Sequence, residues 1–154
     1  MRHAKAETGE GLRDEERALT PRGRRAAERV GELLADRLPD RVLSSTALRT
    51  RETVAALKKG GAYFGPIEFL QELYLAEPAG YLRAVARHGG DAARVLVVGH
   101  NPGLEDLVAR LSGERVTLPT AALAECTLEL ENWSDLTLDT HAELIGLSYP
   151  RDDD

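Results

Sequence analysis

The sequence predicts an α/β fold: a single three-layer α/β/α domain with a mostly parallel central sheet flanked by helices. Segments with helical spacing alternate with short apolar segments along most of the chain, as in parallel sheets. Residues 95–98 form an unbroken apolar run, which is typical of a strand covered on both faces. A chain of 154 residues can bury one self-sufficient core. We therefore predict one domain over residues 1–148, followed by an acidic, frayed tail over 149–154.

The helices are predicted from apolar spacing and from residues typical of helix ends. Thr20 and Pro21 favour a helix start, because a hydroxyl can cap free N–H groups and proline suits the first helical position. Apolar residues at helical spacing follow, and Pro39 is expected to end this helix. The same reasoning predicts further helices over 47–59, over 78–88 and from residue 104 onward.

The strands are predicted from short segments rich in apolar or β-branched residues that end at turn-forming residues. They lie at 41–45, 67–70 and 94–98. Residues 122–131 and 142–148 alternate or run apolar, and we expect them to form two closing strands, as in a hairpin.

Charge and cysteine content limit the partners and the compartment. The net charge is −6, from 26 acidic and 20 basic side chains, which argues against nucleic acid or an acidic membrane as a partner. Cys126 is the single cysteine, so the sequence offers no internal disulfide and no metal site built on cysteines. No 18 apolar residues run together, and the first residues have no secretory pattern. We expect a cytoplasmic protein.

Charged residues follow the predicted strands where ligands bind in such sheets. His100 comes directly after the strand at 94–98, Arg49 lies in the first turn of the helix after the strand at 41–45, and Arg2 and His3 stand near the chain start. Ligands of parallel sheets bind beyond the carboxyl ends of the strands, where helix N-termini add partial positive charge. Arginine forks match phosphate oxygens, so such a cluster suits a phosphate group.

Four motifs, in order along the chain, resemble the histidine phosphatase superfamily, and in particular its short SixA-type phosphohistidine phosphatases. The motifs are Arg2-His3-Ala4-Lys5-Ala6-Glu7, Leu19-Thr20-Pro21-Arg22-Gly23, Ser44-Ser45-Thr46-Ala47-Leu48-Arg49-Thr50-Arg51-Glu52-Thr53 and Val98-Gly99-His100-Asn101-Pro102. The resemblance extends from Met1 to about residue 148. It implies a phosphoglycerate mutase-like fold.

The resemblance also implies the role of each site residue. His3 would be the nucleophile, Arg2 and Arg49 would bind phosphoryl oxygens, and His100 would complete the pocket as a donor. Preorganised arginines can stabilise the charge of phosphoryl transfer, so no metal and no cofactor is expected. Glu72 is our candidate general acid.

Three functions remain open from the sequence. The first is a phosphatase that removes the phosphoryl group of phosphohistidine in proteins, which is favoured because the short loops leave little chain for a lid over a small substrate. The second is a phosphomonoesterase that acts on a small phosphorylated molecule. The third is a phosphate- or phosphoprotein-binding module without turnover.

The sequence departs from the family at two positions. Family members usually have several apolar residues that form a central strand before the Arg-His pair, whereas here only Met1 precedes it. We expect that the true start lies upstream, because loss of that strand would leave its neighbours unpaired; a lost strand is the alternative. Thr46 stands where the family often has proline, and we expect its hydroxyl to cap the following helix.

Overall fold

The computed structural model describes residues 1–150 and confirms the predicted α/β fold. The helices are α1 (Pro21–Leu34), α2 (Leu48–Lys59), α3 (Pro78–His88) and α4 (Gly103–Ser112). The strands are β1 (Arg41–Ser45), β2 (Ile67–Leu70), β3 (Val95–Val98), β4 (Leu123–Leu128) and β5 (Ala142–Ser148). Most of the tail predicted to fray, residues 151–154, lies outside the described residues.

The start of α1 agrees with the prediction, but its end does not. The Gly23 N–H donates to Thr20 Oγ at 2.9 Å, so Thr20 caps the helix as expected. The helix ends at Leu34, before the predicted stop at Pro39. The Ala35 N–H bonds three residues back, to the Glu32 carbonyl, which tightens and closes the last turn.

The strands form two separate sheets. A parallel sheet has the order β2-β1-β3, and an antiparallel hairpin joins β4 to β5. The predicted closing hairpin is therefore present.

The first three residues connect these two sheets. The Met1 amine donates to the Val97 carbonyl at 2.7 Å, and the Arg2 N–H donates to the Ala122 carbonyl at 3.0 Å. Met1 to His3 thus lie as a short strand segment between β3 and the start of β4.

A cavity of about 970 Å³ adjoins Met1. Its lining comes largely from β3, β4, α3 and α4, and most of these side chains are apolar. Burial lowers the pKa of the Met1 amine from 8.0 to about 5.

Helices cover both faces of the parallel sheet and give the three layers. Successive strand residues point to opposite faces. Val42, Leu96 and Val98 pack with residues of α1 and α2 in one core, whereas Leu43 packs with residues of α3 and α4 in the other. Within residues 1–150, no helix is both long and apolar enough to cross a membrane.

Candidate active site

The backbone brings the predicted site residues to one edge of the sheet. The His3 N–H donates to the Gly99 carbonyl at 3.1 Å, and the Ala121 N–H donates to the His3 carbonyl at 2.9 Å. Arg49 lies in the first turn of α2, which follows β1, and His100 follows β3. His3, Arg49 and His100 are all buried and contact one another.

The ring of His3 is held in one tautomer. Its Nδ1 lies 2.7 Å from the carbonyl oxygen of Ala4. A carbonyl oxygen only accepts, so Nδ1 carries the proton and Nε2 keeps its lone pair. Burial, and then the charges of Arg49, Arg2 and Arg17, lower the pKa of His3 to about 4. The imidazole is therefore neutral at neutral pH, and the lone pair of Nε2 accepts only a long bond of 3.4 Å from Arg49 Nε, which a nucleophile can give up.

Arg49 lies at the centre of the cluster. Its Nε donates to His3 Nε2 at 3.4 Å, and its Nη2 lies 3.3 Å from His100 Nδ1. The guanidinium is only 2% exposed. A cation in the first turn of a helix opposes the helix dipole, so an anion is expected beside it. That anion is Asp14, whose carboxylate Oδ2 accepts from Arg49 Nη2 at 2.9 Å.

His100 is bonded through both ring nitrogens. A guanidinium N–H only donates, so Nδ1 accepts from Arg49 and the Nε2–H donates to Ser45 Oγ at 2.8 Å. Burial, and then the charge of Arg49, lower the pKa of His100 to about 3. Donation by Nδ1 to a phosphoryl oxygen would require a proton there. A phosphoryl dianion would favour that proton, because a nearby negative charge raises a histidine pKa.

Arg2 offers a donor that has no partner among the described residues. Its Nη1 donates to the Leu118 carbonyl at 3.1 Å, which fixes the side chain. Its Nε is buried and bonds no group within residues 1–150. Buried polar groups in folded proteins are nearly always satisfied, so an orphaned cationic N–H indicates a ligand.

Tight packing around Gly99 holds the backbone of His100 in place. A Cβ atom at Gly99 would lie 2.4 Å from the hydroxyl of Tyr81, so only glycine fits there. Tyr81 is fully buried, and its hydroxyl accepts from the His100 N–H at 3.0 Å. On the other side, the Ala4 N–H donates to Thr53 Oγ, which ties the segment that carries His3 to α2.

Glu72 is not brought into this cluster. It lies in a short 3₁₀ turn, Gln71–Leu73, and its carboxylate is 3.6 Å from Nε2 of His88. His88 also contacts Glu68 at 3.0 Å. In the described part of the chain, no hydrogen bond or ion pair joins Glu72 to the other four predicted site residues, so its role as general acid remains a prediction.

The expectation for Thr46 was wrong. Ala47 occupies the N-cap position of α2 and makes no side-chain capping bond, while the Thr46 hydroxyl donates to Gln71. Thr46 lies one residue too early to cap the helix.

Asp14 and Tyr74 are site residues that the sequence reasoning missed. Asp14 stands among acidic residues in a loop without periodicity, so no pattern singled it out. The ring of Tyr74 stands edge-on to His100, and its hydroxyl donates to Asp14. The one available signal was the spacing of Asp14 and Arg17, which form an ion pair across the 3₁₀ turn.

A comparison with protein families decides the membership of this chain. Residues 1–81, more than half of the chain, match the histidine phosphatase superfamily (branch 1). The chain belongs to the histidine phosphatase superfamily. This histidine phosphatase is also 35% identical over 164 aligned positions to an uncharacterized protein of Mycobacterium tuberculosis, and the alignment covers 98% of the chain and 100% of the relative.

Solved structures place it near SixA proteins. The chain is 34% identical to a SixA-type protein of Nakamurella multipartitia, with a TM-score of 0.84 and coverage of 97% of this chain and 93% of that one. It is 28% identical to the protein histidine phosphatase SixA complexed with tungstate, with a TM-score of 0.79 and coverage of 97% and 94%. The histidine phosphatase is therefore similar to SixA proteins over nearly its whole length.

Proposed function

We propose that this histidine phosphatase removes the phosphoryl group of phosphohistidine in proteins, without a metal, through a phosphohistidine intermediate on His3. The observation that carries the proposal is the Nδ1–H bond of His3 to the Ala4 carbonyl, which leaves the Nε2 lone pair as the nucleophile. The lowered pKa of His3, about 4, keeps this lone pair unprotonated at neutral pH.

In the first step, the Nε2 lone pair of His3 attacks phosphorus in line. The N–P bond of the substrate breaks, and its electron pair leaves with the substrate imidazole, which takes a proton from solvent. Arg2 and Arg49 would stabilise the charge on the equatorial oxygens. The buried Arg2 Nε, which has no partner within residues 1–150, supports this assignment.

In the second step, water attacks the phosphorus of phosphorylated His3. The N–P bond breaks, its electron pair returns to Nε2, and the proton of the water passes to solvent as inorganic phosphate leaves. Two such displacements replace one more difficult displacement by water.

The acid–base groups near the pocket favour a phosphoramidate over a phosphate ester. An ester oxygen needs a proton donor as it leaves, whereas an imidazole needs one far less. Glu72 faces His88, and the bonds from Tyr74 and Arg49 lower the pKa of Asp14 to about 2, so Asp14 is ionised and is no proton donor. A small-molecule phosphomonoesterase remains the rival, and it requires Glu72→Gln to impair ester turnover strongly.

The relatives support an oxyanion site of this kind. Tungstate, which is bound to the SixA relative, is tetrahedral and anionic like phosphate. The substrate of the present chain is our inference from its own residues.

The test is hydrolysis of a phosphohistidine peptide, with chelator present, by the parent protein and by His3→Ala. His141→Ala is the matched control, because His141 is exposed and lies in the loop before β5. We expect turnover by the parent and by the control, and none by His3→Ala. Mass spectrometry after an acid-free quench should locate the trapped phosphoryl group on His3. Phosphate binding that survives His3→Ala, with no turnover by the parent, would support the binding module instead.

A further inference from the structure

Asp14 holds the nitrogens of Arg49 that a phosphoryl group needs. Arg49 Nη2 donates to Asp14 Oδ2 at 2.9 Å, and Arg49 Nη1 donates to the main-chain carbonyl of Asp14 at 2.8 Å. Both terminal nitrogens of the guanidinium therefore face one residue. Arg17 Nε donates to the other carboxylate oxygen at 3.0 Å, and the Tyr74 hydroxyl donates to Oδ2.

A carboxylate and a phosphoryl group compete for the same guanidinium fork. We propose that Asp14 is a latch: its carboxylate competes with the phosphoryl group for Arg49, and the 3₁₀ turn Asp14–Glu16 moves off Arg49 when a phosphoryl group binds. This inference rests on the proposed function, in which Arg49 binds phosphoryl oxygens.

The burial of the two partners explains why a latch is useful. Arg49 is 2% exposed, and a buried cation that loses its partner is strongly destabilising. With the latch, Arg49 exchanges one anion for another and is never left alone. Asp14 is 45% exposed, so water can replace Arg49 at its carboxylate. The exchange therefore costs much less than breaking a fully buried pair.

The other contacts of Asp14 allow it to leave Arg49 while remaining paired. Arg17 lies directly after the same turn and bonds Oδ1, so the carboxylate keeps one donor after the turn leaves Arg49. The loop before the turn contains Gly9 and Gly11 with φ of +69° and +79°. A Cβ atom at Gly11 would contact nothing within 4 Å, so Gly11 faces open space, whereas Gly9 packs against the side chain of Arg17.

The latch has a consequence for product release. Inorganic phosphate must compete with Asp14 for Arg49, so its affinity is lower than the arginines alone would give. Asp14 thus limits inhibition by the product and returns to Arg49 as phosphate leaves.

The experiment is calorimetric titration of inorganic phosphate into the parent, Asp14→Asn and Glu15→Gln. Glu15 is a matched control, because it lies in the same turn and its change removes the same charge, but it contacts Arg13 and not Arg49. We expect Asp14→Asn to bind phosphate about tenfold more tightly, from the usual strength of a charge-assisted bond to a half-exposed partner. Glu15→Gln should stay within about twofold. Unchanged or weaker phosphate binding by Asp14→Asn would overturn the latch, because a brace for Arg49 predicts that result.

A second measurement uses the parent alone, in case Asp14→Asn fails to fold. The carbonyl and carboxylate carbons of Asp14 report on the contact by NMR, since both groups accept from Arg49. Saturating phosphate should shift both carbon-13 resonances, and unchanged resonances would overturn the latch. Turnover of phosphohistidine peptide by the parent separates the latch from the proposed function. If the parent turns over the peptide but Asp14→Asn binds phosphate no more tightly than the parent, the latch alone is refuted. If Asp14→Asn binds phosphate more tightly but the parent shows no turnover, the proposed enzyme activity alone is refuted.

Discussion

The two ends of the segment Met1 to His3 differ in what surrounds them. At the His3 end, backbone bonds run to Gly99 and Ala121, and the side chain is fixed by Ala4 and Arg49. At the Met1 end, backbone bonds run to Val97 and Gly99, and the residue adjoins a cavity of about 970 Å³. One short segment therefore joins a densely bonded site to a loosely packed interior.

This difference separates the needs of catalysis from those of stability. Catalysis requires fixed positions for a few polar atoms. The segment Met1 to His3 and the N-terminal ends of α2 and α4 provide them. Stability depends on buried apolar area, which the cavity reduces. Changes at the His3 end should therefore affect turnover, while changes at the Met1 end should affect mainly the free energy of unfolding.

The largest effect is expected from Gly99→Ala. The added Cβ would lie 2.4 Å from the Tyr81 hydroxyl, so Tyr81 must move and release the His100 N–H. We expect turnover to fall by more than about a hundredfold and the free energy of unfolding to fall by roughly 3 kcal/mol, as for overpacking of a dense core. Phosphohistidine hydrolysis and urea unfolding measure the two losses.

Gly146→Ala is the control for this prediction. Gly146 lies in β5, and the nearest atom to an added Cβ is 3.8 Å away, in Glu125. We expect unchanged turnover there. Equal losses in the two variants would contradict the contrast between the two ends.

The elements of the sheet and the helices could be predicted because their signals are local. The run Val95 to Val98 and the ends of α3 at Pro78 and His88 can be read from neighbouring residues alone. The end of α1 could not, because a single bond from Ala35 closes that helix before Pro39 is reached.

The site was predicted in part. Strand ends and motif order indicated His3, Arg49 and His100, whereas Asp14 reaches Arg49 across 35 residues through a loop that has no periodic pattern. Contacts of this kind depend on how a loop folds back, and loop sequences constrain that weakly. The contact of Glu72 with His88 is equally a product of packing.

The two ends should titrate in different pH ranges. In a chain that begins at Met1, the folded-state pKa of the Met1 amine, about 5, lies below its ordinary 8.0, so the unfolded chain binds the proton first and stability falls as pH drops from 8 to 5. His3 and His100, with pKa values of about 4 and about 3 against 6.5, add a loss that begins only near pH 6.5. Urea unfolding between pH 8 and pH 5 measures both slopes.

Two variants assign these slopes. Acetylation of the Met1 amine should remove the slope between pH 8 and pH 6.5, and His100→Gln should reduce only the slope below pH 6.5. Stability that is flat between pH 8 and pH 6.5 in the unmodified protein would contradict the burial of the amine.

The smallest effect is expected from filling the cavity beside Met1. An engineered extension of about five apolar residues before Met1 could continue the segment between β3 and β4, since strands of that length are common. Burial of its side chains, less the cost of ordering its backbone, should raise the free energy of unfolding by roughly 2 kcal/mol. A Gly-Ser extension of the same length is the control and should give no gain in the free energy of unfolding.

Turnover should stay the same in both extended proteins, because the bonds of His3 to Gly99, Ala121 and Ala4 are untouched. A large change in turnover would mean that the two ends of the segment are coupled.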